Sequence, residues 1–229
     1  MKIIEPYVEL ESEINGEEIL KKIEKIGRVC YKSEDRITDE SAKRFVESLL
    51  KRGHESVIEH VSLSVRIVCD RGVTHEIVRH RVASYSQEST RYCNYSNDKF
   101  GNELTFIKPC WFNMSNEECN RECNSDNFYD GLRPIDVKLD EFNWLRAMSY
   151  AENYYFNLLS LGWTPQEARS VLPNSIKTEI VMTMNLREWR HFLKLRTSKA
   201  AHPQMRQIAN MILTMFKEKI PVIFDDIKG

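Results

Sequence analysis

The densest chemistry in the chain lies between Arg79 and Tyr92, in Arg-His-Arg-Val-Ala-Ser-Tyr-Ser-Gln-Glu-Ser-Thr-Arg-Tyr. Three arginines, one histidine, three serines and one threonine fall within these fourteen residues. Arginine presents a rigid fork of donors that matches phosphate, and hydroxyls with backbone N–H groups complete such a site. Neighbouring guanidiniums repel, so a polyanion seated between them offsets a real cost. Read alone, Arg-His-Arg also describes a solvated helix face whose arginines form surface ion pairs. Two features weigh against that reading. The nearby acids are few, Glu76 and Glu88, and the hydroxyl-rich tail follows neither a helical nor a strand period.

Two further clusters flank this one. Upstream, Gly53-His54-Glu55-Ser56 leads to Glu59-His60. A metal site there would need both histidines on one helix face, and a separation of six residues does not provide it, so no metal is expected. Cys119 and Cys123 could form half of a metal site, but no second pair is in reach along the sequence. Downstream come Arg169, in Ala-Arg-Ser-Val-Leu-Pro, and then Asn185, Arg187, His191 and Arg196. Asn185 is a good helix N-cap, and Arg187 and His191 share a face of the helix it would start. Taken alone, that helix is an amphipathic one with surface arginines, and Trp189, Phe192, Leu193 and Leu195 supply its apolar side.

The elements that must carry these residues follow from periodicity and turn chemistry. Residues 2–10 read as a short strand that tolerates Pro6 only at an edge. Helices are expected at 17–31 and from Thr38 or Asp39 to Gly53. Val61, Leu63, Val65 and Ile67 alternate inward along a half-buried strand at 60–69. Asp70-Arg71-Gly72 reads as a turn, followed by a helix from Val73 to about Ser84. Residues 97–141 look irregular apart from a short strand at 103–108, and the Asn- and Cys-rich stretch at 113–127 looks like a loop insertion. A long helix at 139–161 should stop at Gly162. Thr164-Pro165-Gln166-Glu167 is a capping box opening a short helix that Pro173 ends. A strand at 176–184 and helices at 186–196 and 203–217 complete an α+β pattern, expected as one domain over residues 1–229.

Bulk properties narrow the function classes. Lysine and arginine total 33 against 34 aspartates and glutamates, so no overall charge favours nucleic acid or an anionic membrane. The first twenty residues carry glutamates where a signal peptide is apolar, and no run of about 18 apolar residues occurs to span a bilayer. The six cysteines form no C-x-x-C pair, which predicts reduced thiols and a cytoplasmic protein.

Taken in order, these clusters resemble the signatures of the flavin-dependent thymidylate synthases. Arg79-His80-Arg81, then Ser89 after seven intervening residues, then Arg91 match the family's central motif. Gly-His-Glu-Ser with Glu59-His60, Ala-Arg-x-Val-Leu-Pro, Asn-x-Arg and Leu-x-Leu-Arg match as well, so the resemblance runs from about Arg28 to Phe216. It implies reductive methylation of dUMP to dTMP, with FAD as cofactor, NADPH as reductant and methylenetetrahydrofolate as carbon donor. It also implies a thymidylate synthase-complementing type of fold, with a mixed or antiparallel sheet, and a homotetramer whose active sites form at subunit interfaces.

By position, His54, Ser56, Arg79, His80, Arg81, Gln87, Asn185, Arg187 and His191 are the implied FAD contacts. Glu76, Arg79, Gln87, Glu88, Ser89, Thr90, Arg91, Arg169 and Arg196 are the implied dUMP site, with Arg196 the activating residue. A guanidinium at a uracil carbonyl favours the N3-deprotonated, electron-rich ring, so no cysteine nucleophile is needed. Pro109-Cys110-Trp111 lacks the histidine of the Pro-Cys-His found in the unrelated, cysteine-dependent class. Three departures stand out: Ser86 replaces a common Asn, Gln87 a common Glu with Glu88 one place later, and His191 a common Asn. Two other readings stay open at this level. One is a nucleotide-binding or regulatory module without flavin chemistry; the other is a nucleic-acid-binding domain.

Overall fold

The computed structural model describes residues 1–124, 128, 133, 134 and 137–229. In chain order the elements are β1 (Lys2–Ile4), β2 (Tyr7–Leu10), α1 (Gly16–Val29), α2 (Ser41–Lys51), β3 (Ser62–Asp70), α3 (Arg71–Ile77), β4 (Ser84–Gln87), β5 (Thr105–Ile107), α4 (Asn116–Cys123) and α5 (Leu139–Ser160). They continue with α6 (Pro165–Ala168), β6 (Lys177–Asn185), α7 (Leu186–Arg196), α8 (Pro203–Lys219) and α9 (Pro221–Phe224). The fold is α+β. One sheet pairs β1 with β5 in parallel, Ile3 opposite Phe106, and a second has the order β2-β3-β6-β4. An antiparallel bridge joins Phe106 to Ile176.

The boundaries follow local chemistry. Asn15 accepts the Glu18 N–H at 3.2 Å to start α1, and Asn185 accepts the Glu188 N–H at 2.9 Å to start α7. Both partners of the Thr164/Glu167 capping box are in place. Gly162 ends α5 with φ +94°, a backbone region that side chains with a Cβ rarely adopt.

Several expectations change. Pro6 has no N–H to donate and divides residues 2–10 into two strands that join different sheets. Arg71 and Gly72 are helical, not a turn, because the Asp70 carboxylate accepts the Val73 N–H at 2.7 Å and caps α3. That helix ends at Ile77 and not near Ser84. The Tyr85 hydroxyl reaches back to the carbonyls of Ile77 and His80, at 2.9 and 2.6 Å, and β4 starts at Ser84. The stretch expected to be irregular contains α4, opened by a reciprocal Ser115/Glu118 capping box, with Cys119 and Cys123 buried. Residues 125–127 of the expected 113–127 loop lie outside the described residues.

The chain falls into two compact units. The first comprises residues 1–6, 68–76 and 87–180, the second residues 7–67, 77–86 and 181–229. In the first, Ile3, Leu104, Phe106, Phe142, Leu145 and Tyr155 are almost wholly excluded from solvent. In the second, Trp189 packs edge-on against Phe192 and Phe216 and donates its indole N–H to the Leu63 carbonyl at 3.1 Å. Each buried aromatic removes a large apolar area from water, and the satisfied indole avoids the cost of an unpaired buried donor.

Candidate functional site

In the second unit the site is built on the first turns of α7 and on the segment leaving Ile77. His80 is buried at 5% exposure, between exposed Arg79 and Arg81. Neither flanking arginine forms an ion pair among the described residues, and neither lies on α3, so the solvated-helix reading fails here. Arg196, at the end of α7, donates Nε–H to His80 Nε2 at 3.0 Å. An acceptor at Nε2 places any ring proton on Nδ1 and makes the imidazole neutral. Burial first, then the charges of Arg196 and His191, also favour the neutral ring and lower the His80 pKa to about 4. The Phe192 ring stands edge-on to His80, with centroids 4.8 Å apart.

A cleft of about 680 Å³ opens beside this pair, in the size range of cofactor pockets. Its donors are Asn185, Arg187, His191 and Lys194, and Glu55, Glu59 and Glu188 also face it. Two of those acids are already paired. Glu59 accepts from Arg187 at 2.5 Å, and Glu55 accepts from Arg190 at 3.2 Å. Within the wall itself Arg187 pairs with Glu59 and Lys194 lies 3.7 Å from Glu55, so the lining presents N–H donors and carboxylate acceptors side by side. That set fits a heteroatom-rich ligand. His54 and Ser56 are exposed at the start of the 3-10 segment Glu55–His60.

His80, Glu188 and His191 bring ligand-type atoms within 4.8 Å of one another, the one such cluster among the described residues. Nε2 of His80 is engaged by Arg196, and a guanidinium beside a cation would repel it.

The remaining candidates lie in the first unit. Thr90 is buried and accepts from Arg169 Nη1 at 3.2 Å. Ser89 organises its own loop: its Oγ accepts the Arg91 N–H at 3.3 Å, and its carbonyl accepts the Cys93 N–H at 2.9 Å. The exposed Arg91 guanidinium lies 5.4 Å from the Tyr92 ring. Gln87, at the end of β4, donates its amide to Thr74 Oγ1 at 3.1 Å and Thr178 Oγ1 at 3.3 Å. Glu88 is turned the other way. Tyr95 donates to one carboxylate oxygen at 2.9 Å and Lys177 to the other at 3.0 Å. Both oxygens of the Glu88 carboxylate are thus engaged within the protein. Glu76 lies half-buried near the end of α3.

Arg79 and Arg196 thus belong to one unit, and Arg91 and Arg169 to the other. Sequence reasoning missed Arg190. It is 2% exposed, reaches the Ile223 carbonyl, and makes a two-pronged contact with Asp226 at 2.7 Å. Leu195, placed on the apolar side of α7, is instead 49% exposed. The one legible signal for Arg190 was its position beside Trp189 and one turn before Leu193, inside the apolar stripe.

The thymidylate synthase complementing protein family model matches residues 14–222. A flavin-dependent thymidylate synthase of Pyrococcus furiosus is 32% identical over 184 residues, 80% of this chain and 66% of that protein. One from Geobacter sulfurreducens is 31% identical over 206 residues, covering 87% and 78% of the two chains. One from Corynebacterium efficiens is 32% identical over 221 residues, covering 94% and 82%. The chain thus spans just under two thirds of the Pyrococcus protein's length and about four fifths of the other two. With a family match over nearly its whole length and relatives about 30% identical across most of both chains, this chain belongs to the thymidylate synthase complementing protein family, that of the flavin-dependent thymidylate synthases.

Proposed function

We propose that this chain catalyses the FAD-dependent reductive methylation of dUMP to dTMP, with methylenetetrahydrofolate as carbon donor and NADPH as reductant. The observation that carries the reading is the Arg196–His80 pair, in which a neutral imidazole orients the guanidinium assigned to uracil. When bound, FAD supplies the hydride that completes the new methyl group. Asn185, Arg187 and His191 are its polar contacts along the cleft, with His54, Ser56, Arg79, Arg81 and Gln87 the further contacts that the family pattern implies. Arg196 stabilises the N3-deprotonated uracil and so raises electron density at C5. Thr90 with Arg169, Ser89 and Arg91 hold the phosphate and ribose, and Gln87, implied at both sites, contacts the nucleotide as well.

No cysteine serves as nucleophile in this reading. Burial pushes the Cys119 thiol up to about 11 and the Cys123 thiol to about 12, and the buried Cys69 is raised as well. Protonated thiols are poor nucleophiles. The active protein is a cytoplasmic homotetramer in which arginines from different subunits meet at one nucleotide.

The deciding experiment is tritium release from 5-tritiated dUMP by the purified chain. Release should require FAD, NADPH and methylenetetrahydrofolate together. A folded protein that stays colourless with FAD and releases no tritium would instead be a nucleotide-binding module. Arg196→Ala should nearly abolish release while flavin stays bound, and normal turnover in that variant would end its assignment.

A further inference from the structure

Gln87 stands where the family commonly has a carboxylate, and its surroundings dictate which end of its amide faces outward. The Thr74 hydroxyl donates to the Arg71 carbonyl at 2.8 Å. With its single proton committed there, Thr74 Oγ1 has only lone pairs left for Gln87. The partner at 3.1 Å must therefore be a donor, which is the amide nitrogen and not the amide oxygen. The same nitrogen lies 3.3 Å from Thr178 Oγ1, so its two N–H groups have two hydroxyl oxygens to serve. Both threonines are 1% exposed, on α3 and β6, elements that hold them rigidly, whereas Gln87 itself is exposed at the end of β4.

We infer that Thr74 and Thr178 are positioning residues that lock the Gln87 amide with its carbonyl oxygen outward, an uncharged acceptor for a hydroxyl or N–H of the bound nucleotide. The inference rests on the proposed dUMP site, in which Gln87 is a substrate contact. It adds the polarity of that contact and the two residues that impose it. A carboxylate at position 87 would set oxygen against the lone pairs of Thr74, unless the Thr74 proton left the Arg71 carbonyl. The amide needs no such exchange. An acceptor held in place before binding also loses less side-chain freedom when the nucleotide arrives.

The test uses the flavin-loaded enzyme, with dUMP varied at saturating methylenetetrahydrofolate and NADPH. Thr74→Val and Thr178→Val keep the side-chain shape and delete one acceptor each. Each should raise the KM for dUMP about three- to tenfold, the loss of about one hydrogen bond, with kcat and flavin content little changed. Thr74→Ser, which keeps the hydroxyl, should restore a KM near that of the parent. A merely structural role would move thermal stability and flavin content and leave the KM-to-kcat split alone. Gln87→Ala is the control on the underlying reading. If it raises the KM while both valine variants keep the parental value, the positioning role is wrong and the substrate contact stands. If Gln87→Ala also leaves the KM unchanged, Gln87 does not touch dUMP and both fall.

Discussion

Protonating His80 should destabilise this protein in a way that can be isolated from every other acid effect. The imidazole accepts Arg196 Nε–H at 3.0 Å. A proton on Nε2 would remove that acceptor and set two cations against each other. The His80 pKa is lowered from 6.5 to about 4 by burial, Arg196 and His191, in that order. The unfolded chain keeps a histidine of ordinary affinity. Between pH 6.5 and about 4 the unfolded state therefore takes up a proton that the native state refuses, and stability falls as the pH falls. The contribution is complete above 6.5 and gone below about 4. At about 1.4 kcal/mol for each tenfold change in proton affinity, the interval is worth about 3 kcal/mol. Urea unfolding of the parent and of His80→Asn at a series of pH values isolates this histidine, since other groups cancel in the difference. The stability difference between the two proteins should shrink by about 3 kcal/mol across that window. A difference that stays flat, or an imidazole resonance titrating near 6.5, would refute the assigned environment.

Other perturbations have equally definite outcomes. Arg190→Ala strands Asp226 and the Ile223 carbonyl and leaves Glu55 only Lys194, at 3.7 Å. Because those carboxylates keep some contact with water, the expected loss is about 2–4 kcal/mol in urea unfolding, toward the lower end for a broken buried pair. A Cβ at Gly16 would sit 2.2 Å from the Lys219 carbonyl oxygen, so Gly16→Ala should cost about 1–3 kcal/mol and lower the melting temperature. An unchanged melting temperature would show that the start of α1 is not pinned there. Cys93→Ser and Cys110→Ser should each retain most tritium release, and loss of chemistry in a well-folded variant would overturn the cysteine-free mechanism.

Much of the fold was legible because it rests on short-range chemistry. The alternation of Val61 to Ile67, the Thr164 capping box and the Gly162 stop each act within a turn or two of chain, and each stands where expected. Errors gathered where a distant side chain overrode the local pattern. Val73 to Ser84 has enough apolar residues for one helix, but Tyr85 folds back onto the Ile77 and His80 carbonyls and ends it early. The polar stretch after Pro109 gave no apolar period, yet Ser115 and Glu118 cap a helix whose two cysteines are buried.

What the residues determined alone was a set of chemical types in order: a phosphate-binding run of arginines and hydroxyls, a histidine between two of them, and a capped helix carrying more. That much survives any detail of folding, because guanidinium, hydroxyl and amide keep their donor geometry wherever the chain puts them. Only the tertiary structure decided which groups are held and which are offered. Glu88 is consumed by Lys177 and Tyr95, Gln87 is oriented by two buried threonines, and His80 is kept neutral by burial and Arg196. Those outcomes depend on pairings between residues up to 116 positions apart. Solvation and proton affinity are set by such neighbours, and adjacency in the chain does not reveal them.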